Sequence, residues 1–348
     1  MRKLFVILAL GAALGAWAQW TLDFDEDFAR ASSVSDNYFT IRFLTGTFPT
    51  NLVLGTSYAG PAISTNAWYD SGDGVWHTYT SKNIPVVGSY VKFKGDWRTS
   101  AGAYYAIFSG TLQSAAYTCK TEGTFEYAAN GVANAYREVF YNATALRSMQ
   151  RNPFQRMTGA PAASMCNVTF YGCSGLTSIP AGTFDMSGLS GAPAIEMCRS
   201  TFYGCSGLTS IPAGTFDMSG LSGAPASFMC YYTFRDCSSL TAIPVGTCDM
   251  SGLSGAPAAS MCNATFSGCS SLTNGVMSIG GGVSFTASNL VTSAGLTSTF
   301  SGCRAWPGSL YWGTNPIYNA ITVPDGDLNT FSGCTNMLNY STINANWK

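Results

Sequence analysis

The chain changes its hydrophobic period part-way along. Up to about residue 118, FTIRFLTG (39–46), GVWHTYTS (74–81), SYVKFKGDW (89–97) and AYYAIFSGTL (103–112) alternate apolar with polar positions between Gly, Asn and Pro signals. Alternation marks a strand with one buried face, so these runs predict a small β-sandwich-like domain over 19–118. From 119 to 348 the spacing lengthens. In ASMCNVTFYGCSGLTSI (163–179), Cys166, Phe170 and Cys173 stand at i, i+4 and i+7, the spacing of one helix face. A short helical turn with Cys, Phe and Cys pointing inward is the prediction. Gly172 and the Ser174-Gly175 pair end it, and Leu176 to Ile179 reads as a brief strand. Pro180 stops the strand for want of an N–H, and Ser187 to Pro193 supplies a return loop.

This pattern repeats. Residues 169–194 and 201–226 are identical letter for letter. Two sets of cysteines, Cys166, Cys198, Cys230, Cys262 and Cys173, Cys205, Cys237, Cys269, step by 32 residues, as do Phe170, Phe202, Phe234 and Phe266. Looser copies fall at Phe140, Phe300 and Phe331. A fixed period of this length is the signature of a solenoid, in which each unit buries its apolar face only against its neighbours. The expected fold is mainly β with short helical turns: a leucine-rich-repeat-type solenoid of 32-residue coils over 119–348, with imperfect end caps. The twelve Cys and Phe positions form its structural ladder.

Composition narrows the function. The 348 residues are 46% hydrophobic and 10% charged, enough for a core and too few charges for a disordered polyelectrolyte. Seventeen Lys and Arg against 18 Asp and Glu build no basic field for nucleic acid. MRKLFVILALGAALGAWAQW reads as a signal peptide, 1–18, cut after Ala18, with no membrane span expected after cleavage. Export permits disulfides among the 12 cysteines. Seven residues along a helix place Cys166 and Cys173 roughly 10 Å apart, beyond disulfide reach. Bonds between coils and buried free thiols both remain open. The C-x6-C spacing is no zinc pattern, and no metal or cofactor is expected.

Candidate chemistry is sparse. Asp185, Asp217 and Asp249 recur once per coil and suit turns whose amides need an acceptor, with a shared cation such as calcium as the alternative. PDGDLNT (324–330) offers Asp325, Asp327 and Asn329 but lacks the glycine and closing glutamate of an EF-hand, and reads as a polar turn. His77 is the only histidine, and Asp70, Asp73 and Asp96 show no pairing that would mark a hydrolase. The expectation is a protein that is not an enzyme. Trp68, Tyr69, Trp76, Trp97, Tyr104 and Tyr105 either fill a core or line a sugar platform. The acidic run TLDFDEDF (21–28) reads as an exposed lead-in, and Asn142, Asn167 and Asn263 head Asn-x-Ser/Thr triplets.

The stretches Phe170–Pro180, Phe202–Pro212 and Phe234–Pro244, built on F-x-G-C-S-x-L-T-x-I-P, resemble the BspA-like leucine-rich repeats of bacterial surface proteins, over roughly 137–340. VKFKGDW (91–97) and TFEYAANGV (124–132) are similar to regions that precede such repeats. The unit departs from many in that family by its length and its SGLSGAPA insertion. The resemblance implies a secreted or cell-surface protein that displays a platform for adhesion or protein–protein interaction, with a protein ligand and no catalytic residues. A glycan bound by the N-terminal aromatics and a structural role in a surface layer are the alternatives.

Overall fold

The computed structural model describes residues 38–55, 63, 66–244, 246–275, 277–279, 282–283, 295–305, 310–312, 315–316, 329–337 and 340–348. The expected signal peptide, the acidic run 21–28, and Asp325 and Asp327 lie outside the described residues. The described chain is mainly β, with no α-helix and no closed barrel among those residues.

The first strands are β1 (Phe39–Gly46), β2 (Asn51–Val53), β3 (Ala67–Asp70), β4 (His77–Thr78), β5 (Asn83–Pro85), β6 (Tyr90–Gly95), β7 (Tyr117–Glu122) and β8 (Leu146–Met149). Six of them form one sheet in the order β4-β3-β6-β1-β7-β8, and β2 pairs with β5 apart from it. At its centre Ile41 lies opposite Val91 on one side and Thr121 on the other, both pairings antiparallel, while β8 joins β7 in parallel. Alternation works as expected within these strands. Phe39, Ile41, Phe43, Val91 and Phe93 are buried, whereas Arg42, Tyr90, Lys92 and Lys94 are half-buried on the other face.

The sheet's buried face is backed largely by turn segments. Phe39 stacks on Phe125 at 4.2 Å and packs against Phe108 and Phe140 at 5.4 and 6.1 Å, all three in turn-rich segments. In place of the sandwich expected over 19–118, the six-stranded sheet is backed mainly by turns, and the β2–β5 pair adds Leu52 and Ile84 to the same core. AYYAIFSGTL, expected as a strand of that sandwich, has positive φ at Ala106 (56°) and Gly110 (69°), which an extended chain cannot accommodate. Its amides instead donate forward, Tyr104 to Ala135, Ala106 to Arg137 and Phe108 to Val139. This run is the first copy of the repeating turn segment, and β7 and β8 carry the sheet past residue 118.

The run expected to be helical is a chain of tight turns. Positive φ falls on one residue in four, at Ser164 (54°), Val168 (49°) and Gly172 (71°), and again at Glu196, Ser200 and Gly204. No right-handed helix admits these angles. The hydrogen bonds give the physical reason. Asn167 and Tyr171 donate three residues back, to Ser164 and Val168, while Ser164, Cys166, Val168, Phe170 and Gly172 donate to Ile195, Met197, Arg199, Thr201 and Tyr203 of the next unit. A helix keeps its amide bonds within itself; these alternate amides are satisfied only by a neighbour. Over seven residues, a four-residue turn period and a 3.6-residue helical period place the same side chains inward.

Neighbouring units therefore stack position on position. Phe170 and Phe202 lie 5.2 Å apart and 2° from parallel, and Phe202–Phe234, Phe234–Phe266 and Phe266–Phe300 follow at 5.4, 5.3 and 5.4 Å. Each such aromatic pair adds about 0.5–1.5 kcal/mol beyond its burial. A buried hydroxyl also links the units: Thr201 Oγ1 shares its one proton between the carbonyls of Cys166 and Cys198, at 2.8 and 2.9 Å. Across the unit, Thr209 and Thr241 each donate both N–H and Oγ1 to the threonine carbonyl one unit back. Brief parallel pairings, such as Ala242–Ile243 with Asn274–Gly275, mark the extended segments. Asp217 and Asp249 accept the amides of Ser219 and Ser251, the turn-capping role read from their recurrence.

Candidate functional site

Within each turn run, side chains alternate two by two. Met197 and Cys198 point into the core, as do Thr201 and Phe202; Arg199 and Tyr203 do not. On the outer side the units build a cavity of about 600 Å³ that spans four of them, with Arg137 and Tyr141 in the first, Tyr171 in the second, Arg199 and Tyr203 in the third, and Tyr231 and Tyr232 in the fourth.

The tyrosines form a row because the position after each stacked Phe carries Tyr in three successive units. Tyr141–Tyr171 centroids are 5.0 Å apart and Tyr171–Tyr203 are 4.8 Å apart, with ring planes within 13° and 2°. Tyr231 and Tyr232 stack on each other at 3.7 Å. Arginines cover faces that remain: Arg235 lies 4.5 Å from the Tyr232 centroid and 5.7 Å from Tyr203, and Arg199 lies 5.3 Å from Tyr231. What the row presents is ring edges and hydroxyls. Burial raises the Tyr141 and Tyr203 phenols above their usual range and, with the Tyr232 contact, pushes Tyr231 up to about 12, so they are protonated donors at neutral pH.

Charge in the groove is balanced locally. Glu196 accepts from Ser164 Oγ (3.0 Å) and Asn167 Nδ2 (3.1 Å) and pairs with Arg199, while Arg137 pairs with Glu138 at 3.1 Å. The backbone is less relaxed. A left-handed conformation costs a residue with a Cβ about 1–2 kcal/mol. Gly172 and Gly204 avoid this at the last turn of each run, yet Val168, Glu196, Ser200, Phe228 and Tyr232 take positive φ with side chains in place.

The residues singled out from sequence are distributed differently. All twelve residues expected to form the ladder, Cys166, Phe170, Cys173, Cys198, Phe202, Cys205, Cys230, Phe234, Cys237, Cys262, Phe266 and Cys269, are fully buried. The protein's cysteines carry free thiols, and Cys173, Cys205, Cys237 and Cys269 donate Sγ–H to Phe carbonyls of the preceding unit at 3.0–3.1 Å. Burial pushes the Cys166, Cys198 and Cys205 thiols well above their ordinary range. The six aromatics do not form a platform together. Trp97 and Tyr104 are in the core, Trp68 and Trp76 flank Lys94 on the outer sheet face, Tyr69 stacks on His77, and Tyr105 lies under Arg137.

The candidate acids are occupied by local structure. Asp70 caps the amides of Gly72 and Gly74, and Asp96 binds Arg98. Asp73, held below the usual carboxylate range by the Val75 amide and then by His77, pairs with His77 at 2.9 Å. Among the described residues no group of three or more His, Cys, Asp or Glu is placed to hold a metal, and no helix is long and apolar enough to cross a membrane. Compared with protein-family models and with curated proteins, the chain gives no match. Sequence reading passed over the groove because its residues form no motif; the signal available was the recurrent Tyr after each stacked Phe.

Proposed function

We propose that this chain is a leucine-rich-repeat-type solenoid of the BspA-like kind, exported to the medium or the cell surface, whose stacked units form a binding platform for a protein partner rather than a catalytic centre. The observation that carries this reading is the in-register stacking from Phe140 through Phe300, which sets equivalent outer side chains about 5 Å apart on one continuous surface. Such a surface grows with the number of units and needs no reactive group. The shortage of net charge fits contacts made by hydroxyls, aromatic edges and paired ions rather than by long-range steering.

Saturable binding of the labelled protein to intact cells tests it. Binding should disappear when the cell surface is shaved with protease and survive enzymatic deglycosylation. Loss on deglycosylation alone would move the function to a glycan site, for which Trp68 and Trp76 around Lys94 are the favoured place. Concentration-dependent sheets or filaments without cell binding would favour a surface-layer role.

A further inference from the structure

Two adjacent units are near-copies, and their differences are confined. Residues 163–194 and 195–226 differ at four positions only: Ala163 against Ile195, Ser164 against Glu196, Asn167 against Arg199 and Val168 against Ser200. The next unit changes the same four again, to Ser227, Phe228, Tyr231 and Tyr232, along with six others. Exposure does not account for this. Ser174, Thr177, Ser178, Ala181, Ser187, Ser190 and Ala192 are exposed, whereas Ser164, Asn167 and Ser200 among the varied positions are buried, yet each of the seven exposed residues is identical in the following unit. Variation is concentrated on one face, and the varied positions supply Val168, Glu196, Arg199, Ser200, Tyr231 and Tyr232 to the groove wall.

From this we infer that the groove is a ligand-binding site whose specificity is written by four positions in each turn run, and that its ligand is an extended polypeptide segment. The inference rests on the platform reading above and gives it a place and a ligand class. Three observations support it. The first is retention of side chains at the two varied left-handed positions of each run, Ser164 and Val168, Glu196 and Ser200, Phe228 and Tyr232, where no unit uses glycine; strain kept at varied positions marks a use for the side chain. The second is chemistry. Tyr, Ser, Asn and Arg are the residues with which adaptable protein-binding surfaces make their contacts. Sugar rings need open aromatic faces, and here those faces are stacked on one another or covered by guanidinium groups.

The third is size and charge. Centroid steps of 5.0, 4.8 and 6.0 Å from Tyr141 to Tyr232 give a row long enough for roughly five extended residues at ~3.3 Å each. With Arg137–Glu138 and Arg199–Glu196 paired inside it, the groove selects a segment of little net charge. The opposite, extended side offers no comparable code. Thr177, Thr209 and Thr241 are identical there, and their hydroxyls bond to backbone carbonyls.

The repeat itself supplies a variant that keeps its fold. Ile195→Ala, Glu196→Ser, Arg199→Asn and Ser200→Val together make the third unit of the groove a copy of the second, whose residues already adopt these backbone angles. A phage-displayed library of random seven-residue peptides would be selected on the intact protein, and the enriched peptides measured against wild type, the quadruple variant and a Ser178→Lys, Ser210→Lys control on another exposed face. The expected result is binding at least tenfold weaker to the quadruple variant and unchanged to the control. Equal affinity for wild type and the quadruple variant, or failure to enrich any peptide, overturns the assignment. Cell binding that persists in the quadruple variant would leave the platform standing and remove only this site; wild-type protein that binds peptides but no cell would do the reverse.

Discussion

At the residue scale the chain trades strain for side chains and burial for inert thiols. Val168 is a β-branched residue at φ 49°, a conformation that crowds its Cβ. Val168→Gly should raise the melting temperature, since relief of about 1–2 kcal/mol exceeds the usual penalty of glycine there; a lower midpoint by calorimetry would show that Val168 packing outweighs its strain. The cysteines predict a second behaviour. With 12 buried thiols, a thiol reagent should label none in the native protein and all 12 after denaturation. Their titration has one sign where burial dominates; Cys230, whose thiolate is favoured by the Cys248 and Cys262 thiols, is lowered instead. Burial pushes Cys119 up to about 12, and it raises Cys166, Cys198 and Cys205 as well, so the native state holds these protons more tightly than the unfolded chain. The associated stability is fully present below the unfolded thiol value of about 8.5 and is lost as pH rises toward the native values. Denaturation midpoints measured from pH 7 to 11 should be flat at first and then fall steeply; a curve still flat at pH 11 would mean that the thiols ionise in place.

At the element scale, the turn run is a structure that exists only in company. Its amides at Cys166, Val168 and Phe170 need the carbonyls of the following unit. Thr201 bridges two units with one buried hydroxyl. Thr201→Val keeps the shape and removes both bonds, leaving buried carbonyls with one donor fewer, and should destabilise by about 1–3 kcal/mol in urea titration; no measurable loss would show that the hydroxyl adds nothing beyond packing. The element scale is also where local sequence is ambiguous. The spacing of Cys166, Phe170 and Cys173 places them inward in a helix and in a chain of turns alike, because four-residue turns and helical turns share that spacing over so short a stretch. AYYAIFSGTL has the alternation of a strand, but its left-handed residues are Ala106 and Gly110, and alanine gives no sign of positive φ.

At the scale of the whole molecule, the near-identity of neighbouring units predicts that one can be removed whole. Deleting 195–226 in one piece joins Ala194 to Ser227, and the stack of 163–194 on 227–258 should reform with the same backbone bonds because residues 169–194 and 201–226 are identical. The shortened protein should fold, by circular dichroism and cooperative melting, with a groove one unit shorter; an unfolded product would mean that 163–194 cannot stack on 227–258. Aromatic contacts run without a break from Phe39 through Phe125 and Phe140 to Phe170, so the sheet and the units share one core.

What the sequence by itself determined was the period of 32, the inward faces of the strands and turns, and the sparse charge, because burial and repetition leave their mark on residue type at fixed intervals. Only the tertiary structure decided that the inward Cys-Phe-Cys pattern is a chain of turns, that the first copy begins before residue 118, and that five tyrosines from four units meet in one groove. Each of these depends on a hydrogen bond or a contact made between units. A residue some 32 positions away supplies the partner, and the local sequence carries no record of which neighbour will be beside it.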